Sequence, residues 1–294
     1  MIPNELTHSQ FDTVYNLLSF STAAQLFTAI FLLAAQRRVL ARYRQAIVIS
    51  ATVCGIAAYH YFRIFDSFRA AFVTTSQGGR GNYVQAVGES FNEAYRYVDW
   101  FLTVPLLLTE LIVVLALARK LQNSLLYRLI PASALMIALG YPGEISGDHG
   151  IRNVFGLLST IPFLYILYVL FVELTRSLDR QPEAVRNTVS KLRYLLVATW
   201  GVYPCAYIIP LYASHAGAGA WVAKQAGYSI ADILAKCLYG LLIYKIARLK
   251  SQADDPGFAA EEGVHGEGSA YSQGNGATKP RVIAGAGDLP AATA

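Results

Sequence analysis

The chain has 294 residues, of which 54% are hydrophobic and 15% charged. Ordinary soluble domains carry about 25% charged residues, so this composition argues against a soluble enzyme and against a disordered chain. The formal charge of +5 does not indicate nucleic-acid binding, because a chain this apolar collects Lys and Arg at the cytoplasmic side of a membrane. Cys54, Cys205 and Cys237 lie far apart in apolar stretches and give neither a disulfide framework nor a metal-ligand spacing. The N-terminus, MIPNELTHSQ, lacks the basic and apolar regions of a cleavable signal peptide.

A membrane helix needs about 20 mostly apolar residues. Seven such spans are predicted, over 9–36, 43–70, 90–118, 124–142, 151–177, 184–212 and 223–249. The fold class is therefore an all-α membrane protein, a bundle of seven transmembrane helices over 9–251. Residues 1–8 form a short extracellular N-terminus. The connection VTTSQGGRGNYVQAVGES, with its glycines and β-branched residues, is compatible with a small hairpin. Residues 252–294 are rich in Gly, Ala, Ser and Pro and are expected to be a disordered cytoplasmic tail. Fifteen Lys and Arg residues cluster on one side of the bundle, among them Arg37, Arg38, Arg119, Lys120 and Lys250. The opposite side has four, Arg69, Arg80, Arg152 and Lys224. The positive-inside rule then places the N-terminus outside and the C-terminus in the cytoplasm.

An ionisable group near the bilayer centre costs about 2.5–3.5 kcal/mol even on lenient scales, and marks a functional site by default. The third span, RYVDWFLTVPLLLTE, contains Arg96, Asp99, Thr103 and Glu110. Asp99 and Glu110 are eleven residues apart, close to three whole turns, so both carboxyls face one way about 16 Å apart along the axis. A proton carrier needs such a layout. The seventh span, YSIADILAKCLYGLLIY, places Asp232 four residues before Lys236, on one helix face. Taken alone, that pair is compatible with a structural ion pair between helices.

These two spans, with WGVYP in the sixth, resemble the microbial rhodopsins, seven-helix retinal proteins of the cell membrane. The resemblance covers all but the tail. Within that family YHYFRIF, GYPGEIS and STIPFLYILYVL look most like the xanthorhodopsin group and its cyanobacterial relatives. The resemblance implies that Lys236 carries all-trans-retinal as a Schiff base. Such imine formation needs the neutral amine as nucleophile. It implies Asp99 as counterion and proton acceptor, and Asp232 as second counterion held by Tyr61 and Tyr203. Arg96 offsets their charge, and Tyr97, Trp100, Met136, Gly140, Trp200, Tyr203 and Pro204 form the pocket. Leu107 matches a position where a polar residue favours blue absorption, so a green-absorbing pigment is expected.

The Asp99–Thr103–Glu110 triplet matches outward proton pumps, with Glu110 as donor kept protonated by its dry surroundings. His60 is placed beside Asp99, where a hydrogen bond would tune the acceptor. Gly156 stands where many relatives carry Trp, and so implies a slot for a hydroxylated or keto-carotenoid antenna. A small residue for close helix packing reads the same way. The stretch ASHAGAGAWVAKQAG, expected as the loop before the seventh span, has no acid to release protons. The expected partners are the lipid bilayer, transported protons and copies of the chain, as a pentamer or trimer. The rival reading is a photosensory receptor that signals through a partner protein. It shares the chromophore site but has no use for Glu110.

Overall fold

The computed structural model describes residues 2–75, 81–212 and 217–265. The first four spans are α1 (His8–Ala35), α2 (Ala41–Ala71), α3 (Ala94–Val114) and α4 (Arg119–Ile145). The fifth is α5 (His149–Tyr168), a π-helical turn (Val169–Glu173) and α6 (Leu174–Leu178). The sixth is α7 (Glu183–Trp200) and α8 (Val202–Tyr212). The seventh is α9 (Gly217–Ile233), a second π-helical turn (Leu234–Leu238) and α10 (Tyr239–Asp254). Together they make the seven-helix membrane bundle.

Local chemistry accounts for the starts and breaks. Thr7 caps α1 in a reciprocal capping box with Gln10, the Gln10 N–H donating to Thr7 Oγ1 at 3.3 Å and the Thr7 N–H to Gln10 Oε1 at 3.0 Å. The sixth span breaks at Gly201 because Pro204 has no N–H for the Trp200 carbonyl and its ring crowds that group. The seventh widens into a π turn around Lys236, a distortion that recurs at functional sites.

Strand β2 (Phe72–Thr74) pairs antiparallel with β3 (Tyr83–Gln85), the hairpin read from the sequence, while its tip at 76–80 lies outside the described residues. Strand β1 (Glu5–Leu6) adds to the other edge of β3, so the N-terminal segment is pinned rather than free. Phe11 stacks on Tyr83 with ring centroids 3.7 Å apart, and Phe68, Phe91 and Trp221 pack beside them. This aromatic layer closes the sheet end of the bundle by burying apolar area.

Three boundaries differ from the sequence reading. Helix α4 runs to Ile145, so GYPGEI lies within it rather than after it, and Ser146 caps its end. Helix α9 begins at Gly217, so 217–222, with Trp221, are helical rather than in the loop before the predicted span. The segment 252–265, expected to be disordered, contains the end of α10 and the helix α11 (Pro256–His265). Asp255 caps the latter through the Gly257 N–H at 2.9 Å, a local signal that composition averages away. Residues 266–294 of the expected tail lie outside the described residues.

Candidate functional site

The π turn delivers Lys236 to the bundle centre, where 1% of its side chain is exposed. Its Nζ donates to Asp99 Oδ2 at 2.6 Å and lies 3.1 Å from Asp232 Oδ2. A buried ammonium is tolerable only with such partners.

The two carboxylates are not equivalent. Asp232 Oδ1 accepts from the Tyr203 hydroxyl at 2.5 Å and from Trp100 Nε1 at 3.2 Å, while Oδ2 accepts from the Tyr61 hydroxyl at 2.8 Å. Three fixed donors thus engage its oxygens. Asp99 accepts from Lys236, but its Oδ1 is buried without a partner among the described residues. The Thr103 hydroxyl donates to the backbone carbonyl of Asp99 at 2.8 Å, not to its carboxyl.

Arg96, 2% exposed, touches neither carboxylate. Its Nη1 donates to Gln225 Oε1 at 2.6 Å, and its guanidinium lies over the Tyr228 and Tyr61 rings at 5.2 and 5.9 Å. His60 is buried near Asp99, but its Nδ1 lies 3.0 Å from the Ile56 carbonyl of its own helix. No His60–Asp99 hydrogen bond forms among the described residues, unlike the arrangement expected from sequence. The helix carbonyl is the nearer acceptor for the ring N–H. Glu110 is fully buried, with the Ser50 hydroxyl as a polar neighbour and no well-formed hydrogen bond to its carboxyl oxygens among the described residues.

Tyr97, Trp100, Leu107, Met136, Gly140, Gly156, Trp200, Tyr203 and Pro204 all line one cavity, together with Asp232 and Lys236. Tyr61 does not line it and acts from behind Asp232. A Cβ added at Gly140 would meet Tyr97 and Ser159 at 3.5 Å, an ordinary contact, so this glycine widens the cavity without relieving a clash. The sequence reading missed Thr160, Phe163, Tyr207 and Tyr228 in the wall. It also missed Glu93, Glu144 and Gln225 at the sheet end, because the groups that meet there come from four separate segments.

The family described as bacteriorhodopsin-like protein matches residues 12–249. The chain belongs to the bacteriorhodopsin-like family. It is 29% identical over 227 residues to the green-light absorbing proteorhodopsin of the gamma-proteobacterium EBAC31A08, covering 77% of this chain and 83% of the relative. Among solved structures, thermophilic rhodopsin superposes with a TM-score of 0.82 at 43% identity, covering 86% of this chain and 99% of that one. Xanthorhodopsin, a light-driven ion pump with dual chromophore, does so with a TM-score of 0.80 at 46% identity, covering 86% and 98%.

The chain is thus a multi-pass protein of the cell membrane, and membership of the family implies a covalently bound retinal. The residues present fit that group. A primary amine stands in the wall of a cavity flanked by Trp100, Trp200 and Tyr203, and flat rings suit a polyene. The amine has two anions to balance a charge kept on its nitrogen, and one of them retains a free lone pair.

Proposed function

We propose that this chain is a light-driven outward proton pump, with retinal held on Lys236. The observation that carries the reading is the inequality of the two carboxylates at Lys236 Nζ. When bound, retinal supplies a light-driven change of shape next to that nitrogen. Asp232, held by three donors, stays an anion throughout. Asp99, 2.6 Å from the nitrogen with an unused oxygen, takes its proton, since transfer needs contact at hydrogen-bond distance. Glu110, fully buried beside Ser50, holds the replacement proton. The basic residues at the end opposite the sheet make that end cytoplasmic, so protons leave at the sheet end.

The test is illumination of an unbuffered suspension of retinal-fed cells. The medium should acidify and a protonophore should abolish the signal. A coloured pigment that leaves the pH unchanged would overturn pumping in favour of a sensory role. For Glu110→Gln, the colour should hold while return of the proton to the Lys236 nitrogen slows about 10²-fold, the low end of general-acid effects. The rate should now fall as pH rises, because protons must arrive from bulk water. Flash spectroscopy across pH checks this, and parent-like return at every pH would remove Glu110 from the donor role.

The same reading extends to an antenna of the hydroxylated or keto-carotenoid class. Gly156 and Thr160 line the cavity, yet Thr160 is exposed on the outer face of α5, so the wall there reaches the lipid side. The Tyr207 ring packs on Gly156, where a Cβ would lie 3.0 Å from Tyr207 Cε1, so a large side chain there has to displace that ring or turn into the cavity wall. With added carotenoid, its bands should appear in the excitation spectrum of retinal fluorescence, and Gly156→Trp should remove them. Equal energy transfer in both proteins would reduce Gly156 to a packing residue.

A further inference from the structure

At the sheet end, charged side chains from four segments meet under cover. Lys224 on α9 places Nζ 2.8 Å from Glu144 Oε1 on α4 and 3.2 Å from Glu93 Oε2, just before α3. Arg152 on α5 lies 3.6 Å from Glu144 Oε2, which has no hydrogen bond although it is buried. Lys224 and Glu144 expose 8% and 5% of their side chains. Gln225 joins this group to the centre of the bundle. Its Nε2 donates to Glu93 Oε1 at 2.6 Å, and its Oε1 accepts from Arg96 at 2.6 Å.

The charges fall into two sets. Lys236 answers Asp99 and Asp232, Lys224 and Arg152 answer Glu93 and Glu144, and Arg96, bonded to Gln225, acts on both sets. The neutral Gln225 links the sets. The other titratable groups facing the outer set, among the described residues, are Arg96 toward Glu93, Tyr97 toward Glu144, Tyr228, whose ring lies 5.7 Å from Lys224 Nζ, and Tyr207, whose ring lies 5.2 Å from the Arg152 guanidinium. The Tyr207 hydroxyl is occupied in donating to the Arg152 carbonyl at 2.8 Å.

Through their shared lysine, the facing oxygens of Glu93 and Glu144 are no farther apart than about 6 Å. Glu144 is the more sheltered of the two, with 5% of its side chain exposed against 28% for Glu93. Carboxylates at that range repel, and with the lysine gone only Arg152, 3.6 Å from Glu144 Oε2, remains as an ion-pair partner among the described residues, so a single proton held between them is favoured.

We propose that Lys224 is the positioning residue that sets when the transported proton leaves. By holding Glu93 and Glu144 as a pair of anions, it denies the exit a stored proton, so release to the medium waits until Asp99 gives up its own. This inference rests on the pump reading for its kinetics, but its central claim concerns the dark state and does not require transport.

The experiment uses the full-length pigment regenerated with retinal, a flash, a pH-indicator dye and a dark infrared spectrum. In the parent, the dye should report acidification only after the Lys236 nitrogen has regained its proton. In Lys224→Gln, acidification should move forward to coincide with loss of that proton. The dark infrared spectrum of this variant should gain a carboxylic-acid carbonyl band, and Lys224→Gln combined with Glu144→Gln should lose it. Lys224→Arg, which keeps the cation, should keep the late release. Early release in the parent, or Lys224→Gln without the new band, overturns the proposal. If Lys224→Gln yields no coloured pigment, the parent's timing and that of Lys224→Arg still decide, early release in either counting against it. Failure of the pump reading looks different, with no dye signal from the parent at any time.

Discussion

Replacing Lys236 by alanine should abolish the covalent visible pigment altogether. Among the described residues Lys236 is the only lysine that lines the cavity, so no other amine can hold retinal there. The change should also cost stability before any retinal is added. Asp99 and Asp232 would remain buried without their cation, and breaking such a pair costs about 3–5 kcal/mol. The retinal-free variant should therefore melt well below the retinal-free parent. Adding Asp99→Asn, which removes one stranded charge, should recover part of the loss. Absorption spectra before and after denaturation check the first claim, and melting curves of the three retinal-free proteins check the second. A visible adduct that survives denaturation in Lys236→Ala would place the attachment elsewhere.

For Asp99→Asn, light-driven acidification should drop to the background of retinal-free cells while the pigment still forms. An amide has no site that takes a proton at neutral pH, and Asp232 already has its lone pairs committed to Tyr61, Trp100 and Tyr203. The colour should shift to the red. An anion 2.6 Å from Nζ concentrates positive charge at that end in the dark. Charge pairs at 4 Å interact by about 4 kcal/mol at an effective dielectric near 20, so losing one counterion is a large perturbation. Normal proton export with an unshifted spectrum would transfer the acceptor role to another group.

The spans, the chromophore lysine and the carboxyl triplet were legible in the chain because each is a local signal. Hydropathy over about 20 residues marks a helix that must satisfy its backbone internally in lipid. A charge inside such a run stands out by its cost, and so Arg96, Asp99, Glu110, Asp232 and Lys236 are visible one by one. The aromatic and small residues of the cavity were legible as a group through the resemblance of their spacing. Among helix ends, those set by hydropathy were placed to within several residues, while 217–222 passed for a loop because small and polar residues hide a helix that packing stabilises.

Tertiary structure alone decided how these groups divide the work. Sequence offers two aspartates near one lysine, and only the convergence of Tyr61, Trp100 and Tyr203 from three different spans saturates Asp232 and leaves Asp99 with a free oxygen. It likewise turned the His60 Nδ1 toward its own helix and brought Glu93, Glu144, Arg152 and Lys224 into one cluster. Glu93 and Lys224 are separated by 131 residues in the chain. Interactions of this kind depend on distance in space and on burial, which sets how strongly a charge is felt. Neither quantity has a local sequence period, so the roles of these residues became readable only once the helices were packed.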